Sequence, residues 1–365
     1  MGDNASATKT ELRRGWTTGT CATAAAKAAA TALIGDGFPD PVKIRLPRGG
    51  EAAFVLADRA AGEGWARAVV VKDAGDDPDV THGCQVVATV RPARAIDGVV
   101  FRAGEGIGMV TRPGLPVPVG EPAINPVPRQ MIRAALAEVA DTHGVNVGFE
   151  VTLAIPGGGA LAAHTLNPRL GIEGGLSVLG TTGVVVPFSC AAWIHSIHRG
   201  IDVARAAGLD HVAASTGSTS EAAIRTRHGL DEVALIEMGD FAGATFKYLR
   251  RHPIPRLSLA GGFAKLAKLG QGARDLHSGR SRLDIEALAL LGRSAGLSDD
   301  EAGRIGASGS GGEVLAGLGA RAPVLARAVA EAAGAVARGA LGDGIAVEVV
   351  VYDRGGRDLA VARGW

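Results

Sequence analysis

Hydrophobic and polar positions follow two different patterns along this chain, and the change falls near residue 172. In the first part, an alanine-rich segment at 12–34 predicts a helix, and a proline-led segment at 124–140 predicts another. Runs typical of short strands lie at 42–47, 52–59, 65–73, 85–92 and 146–156. Gly- and Asp-rich turns separate the first four runs, so the sequence favours an antiparallel meander within an α+β domain.

After residue 172 the chain alternates strand, glycine-rich loop and helix. Strands that alternate with helices predict parallel βαβ units and a doubly wound sheet. A largely helical stretch follows at 281–340, and the last strand, at 344–353, is expected to pair with either domain.

The predicted fold class is α/β and α+β: an N-terminal α+β domain followed by a doubly wound, mostly parallel, Rossmann-like α/β domain. A chain of 365 residues is long enough for both. We predict that the first spans 11–171 and the second 172–365. Residues 1–10 carry no apolar run and are predicted to be a disordered tail.

Composition excludes several classes of function. The net charge is +1 and aromatic residues make up 4%, which argues against a nucleic-acid partner. No apolar window is long enough to cross a bilayer, so no membrane partner is expected. Three cysteines without metal-ligand spacing indicate a reduced, cytoplasmic protein. A homo-oligomer is compatible with all of this.

Four glycine-rich loops are predicted at the carboxyl ends of strands in the second part, where open α/β sheets bind ligands. The loops are 180–183, 215–221, 239–243 and 261–262. Any one of them alone is more simply a tight turn, but four on one rim favour a binding cleft. A P-loop motif is absent from the sequence, which argues against a nucleotide triphosphate and favours a nucleoside ligand such as S-adenosylmethionine.

A nucleoside donor of this kind needs amides or hydroxyls for its carboxylate, an acid for its ribose and an apolar slot for adenine. Glu237 and Asp240, near a strand end, are candidates for the ribose, although acids there are as often turn or cap residues. The residues predicted to bind the donor are Gly180, Thr181, Thr182, Gly183, Ser215, Thr216, Gly217, Ser218, Glu237 and Asp240.

The turn that opens the first helix has hydroxyl caps and two arginines just upstream, a pattern that predicts an anion site. Two other groups of polar residues stand out in the sequence. The acidic loop at 73–79 lacks the closing Glu of an EF-hand and is predicted to be a solvated turn. His195 and His198 have chelating spacing but no third ligand nearby, so no metal site is predicted.

Six collinear segments resemble the cobalt-precorrin-5B C1-methyltransferase family of anaerobic cobalamin biosynthesis. Each segment alone is modest, but together they extend over nearly the whole chain in the family's order. They lie at 12–30, 72–83, 108–132, 165–187, 238–241 and 261–278. The resemblance implies a two-domain enzyme that methylates ring carbon 1 of a corrinoid with S-adenosylmethionine. Cobalt would then enter only as part of the substrate.

A precorrin is a polycarboxylate, so the resemblance indicates which anion the first turn would bind. Arginine can hold a rim carboxylate with two hydrogen bonds. Trp16 would then cover the macrocycle, or alternatively pack under the first helix. The residues predicted to bind the substrate are Arg13, Arg14, Trp16, Thr18, Thr20, Arg129, Arg169 and Lys265.

Methyl transfer from a sulfonium depends mainly on positioning, yet a proton must finally leave the macrocycle. The candidate for assisting that loss is His277, in the segment at 261–281, which is rich in side chains that donate hydrogen bonds. Two alternatives stay open: a non-catalytic corrinoid carrier, and another small-molecule transferase such as a kinase.

Overall fold

A computed structural model of the protein describes residues 12–93 and 98–365; the tail predicted at 1–10 lies outside the described residues. The chain divides into two compact units, Met1–Cys190 and Ala191–Trp365. Both combine helices with strands, and the strands pair in parallel and antiparallel fashion. Residues 172–190, which the sequence pattern assigned to the second domain, belong to the first unit.

The first unit contains, in chain order, β1 (Gly15–Trp16), α1 (Thr18–Ile34), β2 (Val42–Arg45), β3 (Glu51–Phe54), β4 (Asp58–Gly62), β5 (Trp65–Val71), β6 (Gln85–Ala93), β7 (Val99–Ala103), β8 (Met109–Val110), α2 (Pro126–Thr142), β9 (Gly148–Ala154), α3 (Gly158–Ala162), β10 (Ile172–Glu173) and β11 (Val184–Val185). Its main sheet has the order β4-β5-β6-β9-β7, in which only β7 and β9 pair in parallel. The meander predicted from the turns is confirmed only in β4, β5 and β6. The predicted strand at 52–59 divides into β3 and β4, and β3 pairs with β2 in a separate two-stranded sheet.

Helix α1 forms the centre of the first unit's core. Alanine favours the helix most strongly, and its small side chain lets neighbouring elements approach closely. The alanines at 22, 24–26 and 28–30 are accordingly completely buried. Thr17 caps the helix by accepting a hydrogen bond from the amide of Thr20.

The segment at 175–180 was predicted to begin the parallel sheet, and that prediction is wrong. It makes only isolated bridges, Leu176 to Ile107 and Val178 to Ile124, inside the first unit. Further along, β11 pairs with β1. The apolar run is therefore a core segment of the first unit, which periodicity alone does not distinguish from a strand of the second.

The second unit contains, in chain order, α4 (Cys190–Ala206), β12 (His211–Ser215), α5 (Ser218–His228), β13 (Leu235–Glu237), α6 (Ala242–Arg251), β14 (Arg256–Gly262), α7 (Phe263–Gly270), α8 (Ile285–Ser294), α9 (Asp299–Gly306), α10 (Gly311–Leu318), α11 (Ala322–Leu341), β15 (Ala346–Tyr352) and β16 (Asp358–Ala362). Its sheet has the order β13-β12-β14-β15-β16, with only β16 antiparallel. The last strand predicted from sequence thus pairs within the second unit.

Helices cover both faces of this sheet. Buried side chains of α4, α6, α7 and α11 form one large core on one face. On the other face, Ile224 of α5 packs with Ala213, Leu235 and Val350. Within the described ranges, none of the helices has the length and apolar character that a bilayer crossing needs.

A buried polar cluster lies on the α5 face of the sheet. Ser258 Oγ donates to Glu348 Oε2 at 2.9 Å and lies 2.9 Å from His211 Nε2. His228 Nε2 lies 2.7 Å from the same Glu348 oxygen. Burial lowers the pKa of His211, and the nearby charges of His228 and Arg256 lower it further, against the opposing effect of Glu348.

This lowered pKa predicts a pH dependence of stability. Below the ordinary histidine value of 6.5, the unfolded chain gains a proton that His211 in the folded chain does not. The stabilisation is therefore complete above pH 6.5 and is lost as the pH falls. In urea unfolding at a series of pH values, His211→Asn should flatten this loss for the second unit. His164→Asn, at an exposed histidine of the first unit, should not; equal slopes in all three proteins would contradict the assignment.

Candidate functional site

The strand order of the second unit reverses at β12. From β12 the chain passes through α5 to β13 on one side, then through α6 to β14 on the other. A reversal of this kind opens a crevice between the carboxyl ends of β12 and β14, and open α/β sheets bind ligands in such crevices. The predicted loop at 215–221 begins at the last residue of β12, and the predicted loop at 261–262 forms the last two residues of β14, so both lie at this crevice.

Backbone hydrogen bonds join two of the predicted loops to each other and to the end of β14. The amide of Thr216 donates to Ala260 O at 2.9 Å, and the amide of Gly239 donates to Ser215 O at 3.0 Å. Ser215 Oγ is also turned towards the first turn of α5, where it donates to Glu221 Oε2 at 3.3 Å. The loops after β12 and β13 and the carboxyl end of β14 therefore form one continuous rim.

Lys265, on α7, supplies a positive charge to this rim. Its Nζ donates to Thr216 O at 2.8 Å and lies 3.1 Å from Asp240 Oδ1. That carboxylate oxygen is buried and makes no hydrogen bond despite the short distance. Lys265 was predicted to bind the corrinoid, but its neighbours are residues predicted to bind the donor.

Two glycines at the crevice have open space where a side chain would stand. A Cβ added to Gly217 or to Gly262 would have no atom within 4 Å. Gly217 precedes α5 with an extended backbone (φ 172°), and Gly262 precedes α7. Neither glycine is required by strain or by packing, so each leaves its helix N-terminus open to a ligand that approaches the backbone closely.

Sequence reasoning did not single out Trp193, which also belongs to this rim. Its indole Nε1 donates to Glu237 O at 3.1 Å, and its side chain remains 43% exposed. Phe241 lies beside it with ring centroids 6.4 Å apart. The only available signal was a large aromatic residue early in a helix, which is more often a core residue.

His277 lies in an exposed turn after α7. Its Nδ1 accepts a hydrogen bond from the Gly279 amide at 3.1 Å, and its own amide donates to Asp275 Oδ1 at 3.1 Å. The same turn connects to the rim, because the Leu276 amide donates to Asp240 O at 2.9 Å. His277 therefore lies one residue from a contact with the rim, and its ring helps to hold the turn.

The loop at 180–183 lies in the first unit, where it contacts the start of α1. Gly183 O accepts hydrogen bonds from the Thr17 amide at 3.1 Å and from Thr20 Oγ1 at 2.7 Å. Thr182 Oγ1 donates to Val184 O. Glycine is needed at 180 (φ 140°) because a Cβ there would lie 2.2 Å from Thr17 Oγ1. This loop, with Thr181, therefore belongs to the first unit and follows no strand of the second unit's sheet.

The same contacts correct the picture of an open anion site at α1. Thr18 and Thr20 are buried, and the Gly19 amide already donates to Leu179 O at 3.0 Å. The helix N-terminus is thus satisfied by the protein's own backbone. Trp16 packs edge-on against Phe54 of β3, with centroids 5.3 Å apart, at the margin of the first unit's core.

The arginines predicted to bind the substrate mostly hold partners within the protein. Arg13 donates hydrogen bonds to Asp73 through its two terminal guanidinium nitrogens, Nη1 and Nη2, and this pairing lowers the pKa of Asp73 to about 2. Arg129 is 15% exposed and binds Ile124 O, Pro122 O and Glu121. Arg169 is half-buried in a turn. Within the described ranges, Arg14 is exposed and forms no ion pair.

The acidic loop is a structural element and not merely a solvated turn. Asp76 accepts a hydrogen bond from the Arg13 amide, and Asp77 accepts one from the Phe188 amide. Asp79 pairs with Lys72, which is 1% exposed. Burial alone would raise the pKa of Asp79, but the charge and hydrogen bonds of Lys72 and Thr81 bring it below its ordinary value.

The described residues hold no cluster of histidine, cysteine or acidic side chains that could bind a metal ion. The two histidines of α4 have ring centroids 6.3 Å apart, and His198 stacks on Tyr248 at 3.9 Å. Burial lowers the pKa of His198, as do the nearby charges of His195 and Arg199.

Comparison with known proteins agrees over nearly the whole chain. The profile of the CbiD family matches residues 5–187, and that of the CbiD C-terminal domain matches residues 275–363. A relative from Paramagnetospirillum magneticum is 58% identical over 96% of this chain and 98% of its own. One from Brucella anthropi is 55% identical over 98% and 97%, respectively. Both are named cobalt-precorrin-5B C(1)-methyltransferase.

A crystal structure described as a cobalamin biosynthesis protein (cbiD) from Archaeoglobus fulgidus is 28% identical, with a TM-score of 0.40, and covers 74% of this chain and 83% of that one. The CbiD profile spans the first four of the six segments that carried the resemblance, the C-terminal profile begins within the sixth, and the relative from Paramagnetospirillum magneticum aligns with 96% of the chain. The chain belongs to the CbiD family.

Proposed function

We propose that this protein transfers a methyl group from S-adenosylmethionine to ring carbon 1 of cobalt-precorrin-5B, giving cobalt-precorrin-6A in anaerobic cobalamin biosynthesis. The observation that carries the reaction is the 58% identity over 96% of the chain to a relative with that activity in its name. Cobalt belongs to the substrate, so the protein needs no metal ligands of its own.

We assign donor binding to the second unit, which then acts as a Rossmann-like donor domain. Three features of the rim suit this ligand. Gly217 and Gly262 leave the backbone accessible, and Lys265, whose Nζ lies beside Asp240 at the same rim, would exchange that pairing for the carboxylate of the methionine part. Glu237, at the end of β13, is the acid for the ribose hydroxyls. The sulfonium of the donor supplies an already activated methyl group.

These residues would act by positioning. An in-line displacement needs the ring carbon, the methyl carbon and the sulfur on one line, and a rigid rim reduces the entropy lost in reaching that arrangement. The rim is rigid because backbone hydrogen bonds join the loops after β12 and β13 to each other and to the end of β14. For the methyl acceptor, Arg14 remains the candidate to bind a carboxylate at the edge of the macrocycle, since Arg13 and Arg129 already hold carboxylates of the protein.

Positioning also predicts a small effect of removing His277. The imidazole is exposed and its Nδ1 is engaged within its own turn, so we expect His277→Ala to keep the methylation rate within about tenfold of the original. Single-turnover rates with saturating donor would measure this. A loss beyond the roughly 10²-fold lower limit typical of a missing acid–base group would instead make His277 the proton acceptor.

A calorimetric titration separates the proposed function from its two alternatives. A methyltransferase should bind S-adenosylhomocysteine, a kinase should bind ATP instead, and a corrinoid carrier should bind the macrocycle without either. We expect S-adenosylhomocysteine binding and no ATP binding. Binding of ATP alone, or of the macrocycle alone, would contradict the proposal.

A further inference from the structure

We propose that Trp193 is the adenine platform of the donor site, so that its indole face stacks on the base of S-adenosylmethionine. This inference rests on the proposed function and deepens it, because no residue has so far been given to the adenine. It starts from an exposed aromatic side chain at the rim.

Trp193 is placed where such a platform is needed. It lies in the first turn of α4, and its Nε1 is bonded to the backbone of Glu237, the proposed ribose acid. Adenine and ribose are covalently joined, so the base must lie within a few ångströms of whatever binds the ribose hydroxyls. An aromatic ring adjoining that acid is therefore within reach of the base.

The ring is also held in a fixed orientation. The hydrogen bond from the indole N–H to Glu237 O fixes one edge of the ring, and Phe241 packs beside the ring with centroids 6.4 Å apart. Gly239, in a left-handed conformation (φ 57°), brings the backbone so close that an added Cβ would lie 3.4 Å from the indole. A platform that is already ordered loses little conformational entropy when a base stacks on it.

A 43% exposed tryptophan calls for an explanation, because burying such a ring is strongly favourable. The other large exposed apolar side chains of the second unit lie elsewhere. Leu290 is on α8, and Trp365 packs against His211, at the amino end of β12 and therefore at the opposite edge of the sheet. Only Trp193 combines exposure with a place on the rim, among the residues that the structure describes.

The test is a titration of the full-length protein with S-adenosylhomocysteine, followed by calorimetry and by tryptophan fluorescence. We expect Trp193→Ala to weaken binding about tenfold, within the range measured for bases stacked on aromatic side chains. Trp193→Phe keeps a ring and should weaken binding less. Ligand binding should quench the fluorescence of the original protein, and most of that change should vanish in Trp193→Phe.

Two controls make the outcome specific. Leu290→Ala removes an exposed apolar side chain away from the rim and should change neither affinity nor quenching. Adenosine, which keeps the base, should quench Trp193, whereas methionine should not. If S-adenosylhomocysteine binds the original protein and Trp193→Ala equally well, the assignment of Trp193 to the adenine is wrong and the proposed function stands. If the original protein does not bind S-adenosylhomocysteine at all, the assignment of S-adenosylmethionine as the methyl donor is wrong.

Discussion

Replacing Asp79 by alanine is expected to lower the free energy of unfolding of the first unit by about 3 kcal/mol, since removing one partner of a buried ion pair strands the other charge. The stranded charge is the ammonium of Lys72, which is 1% exposed. The side chain of Asp79 is itself 27% exposed, which puts the expected loss at the lower end of the usual range. Urea unfolding followed by the fluorescence of Trp16 and Trp65 would report it.

The matching controls separate the buried charge from a general effect of losing a carboxylate. Asp58→Ala removes a surface partner of Arg67 and should cost less than about 1 kcal/mol. Adding Lys72→Met to Asp79→Ala removes the stranded ammonium and should restore most of the lost stability. A double variant no more stable than Asp79→Ala would show that the loss comes from the turn at Thr81, whose amide and hydroxyl also bond Asp79.

Gly217→Val is expected to weaken S-adenosylhomocysteine binding by at least about tenfold, or ~1.4 kcal/mol, while the fold stays intact. The extended backbone of Gly217 accepts any residue, and its Cβ would have no neighbour within 4 Å. A valine side chain would therefore fit without strain and occupy space through which the donor reaches the amides of α5. Calorimetry would measure the affinity, and thermal unfolding would check the fold.

Gly183→Val provides the contrast, because sequence reasoning placed Gly183 in the same site. There the Cβ would lie 2.9 Å from Leu46 Cδ2, at a residue with φ 83°, so the variant should lose stability. In any molecules that fold, donor affinity should be nearly unchanged. The reverse result, weak binding in Gly183→Val and normal binding in Gly217→Val, would move the donor site to the first unit.

The sequence was a good guide where local pattern and long-range packing agree. The alanine-rich segment forms α1, and the strand–loop–helix units after residue 207 form the mostly parallel sheet. It failed for 175–180, because an apolar run of that length suits a strand and a buried connection equally well. Which unit receives such a run depends on contacts with Ile107 and Ile124, far away in the chain.

Contacts between distant parts of the chain also explain why the predicted substrate-binding arginines were mostly found paired within the protein. Nothing within a few positions of Arg13 or Arg129 shows that Asp73 and Glu121 will reach them. The rim of the second unit could be predicted because every glycine-rich segment there lies at the carboxyl end of one of three strands that pair in parallel, so topology alone brings these segments together. Trp193 escaped notice since its exposure is decided only by packing.

The measurement that tests the central claim most directly is anaerobic incubation of the purified protein with cobalt-precorrin-5B and donor labelled with ¹³C at the methyl carbon. We predict a macrocycle heavier by one labelled methylene equivalent in mass spectrometry. The carbon NMR spectrum should place the label on ring carbon 1, and Gly217→Val should give little product at limiting donor. An unchanged macrocycle, in a protein that still binds S-adenosylhomocysteine, or a label at any other ring position would contradict the account.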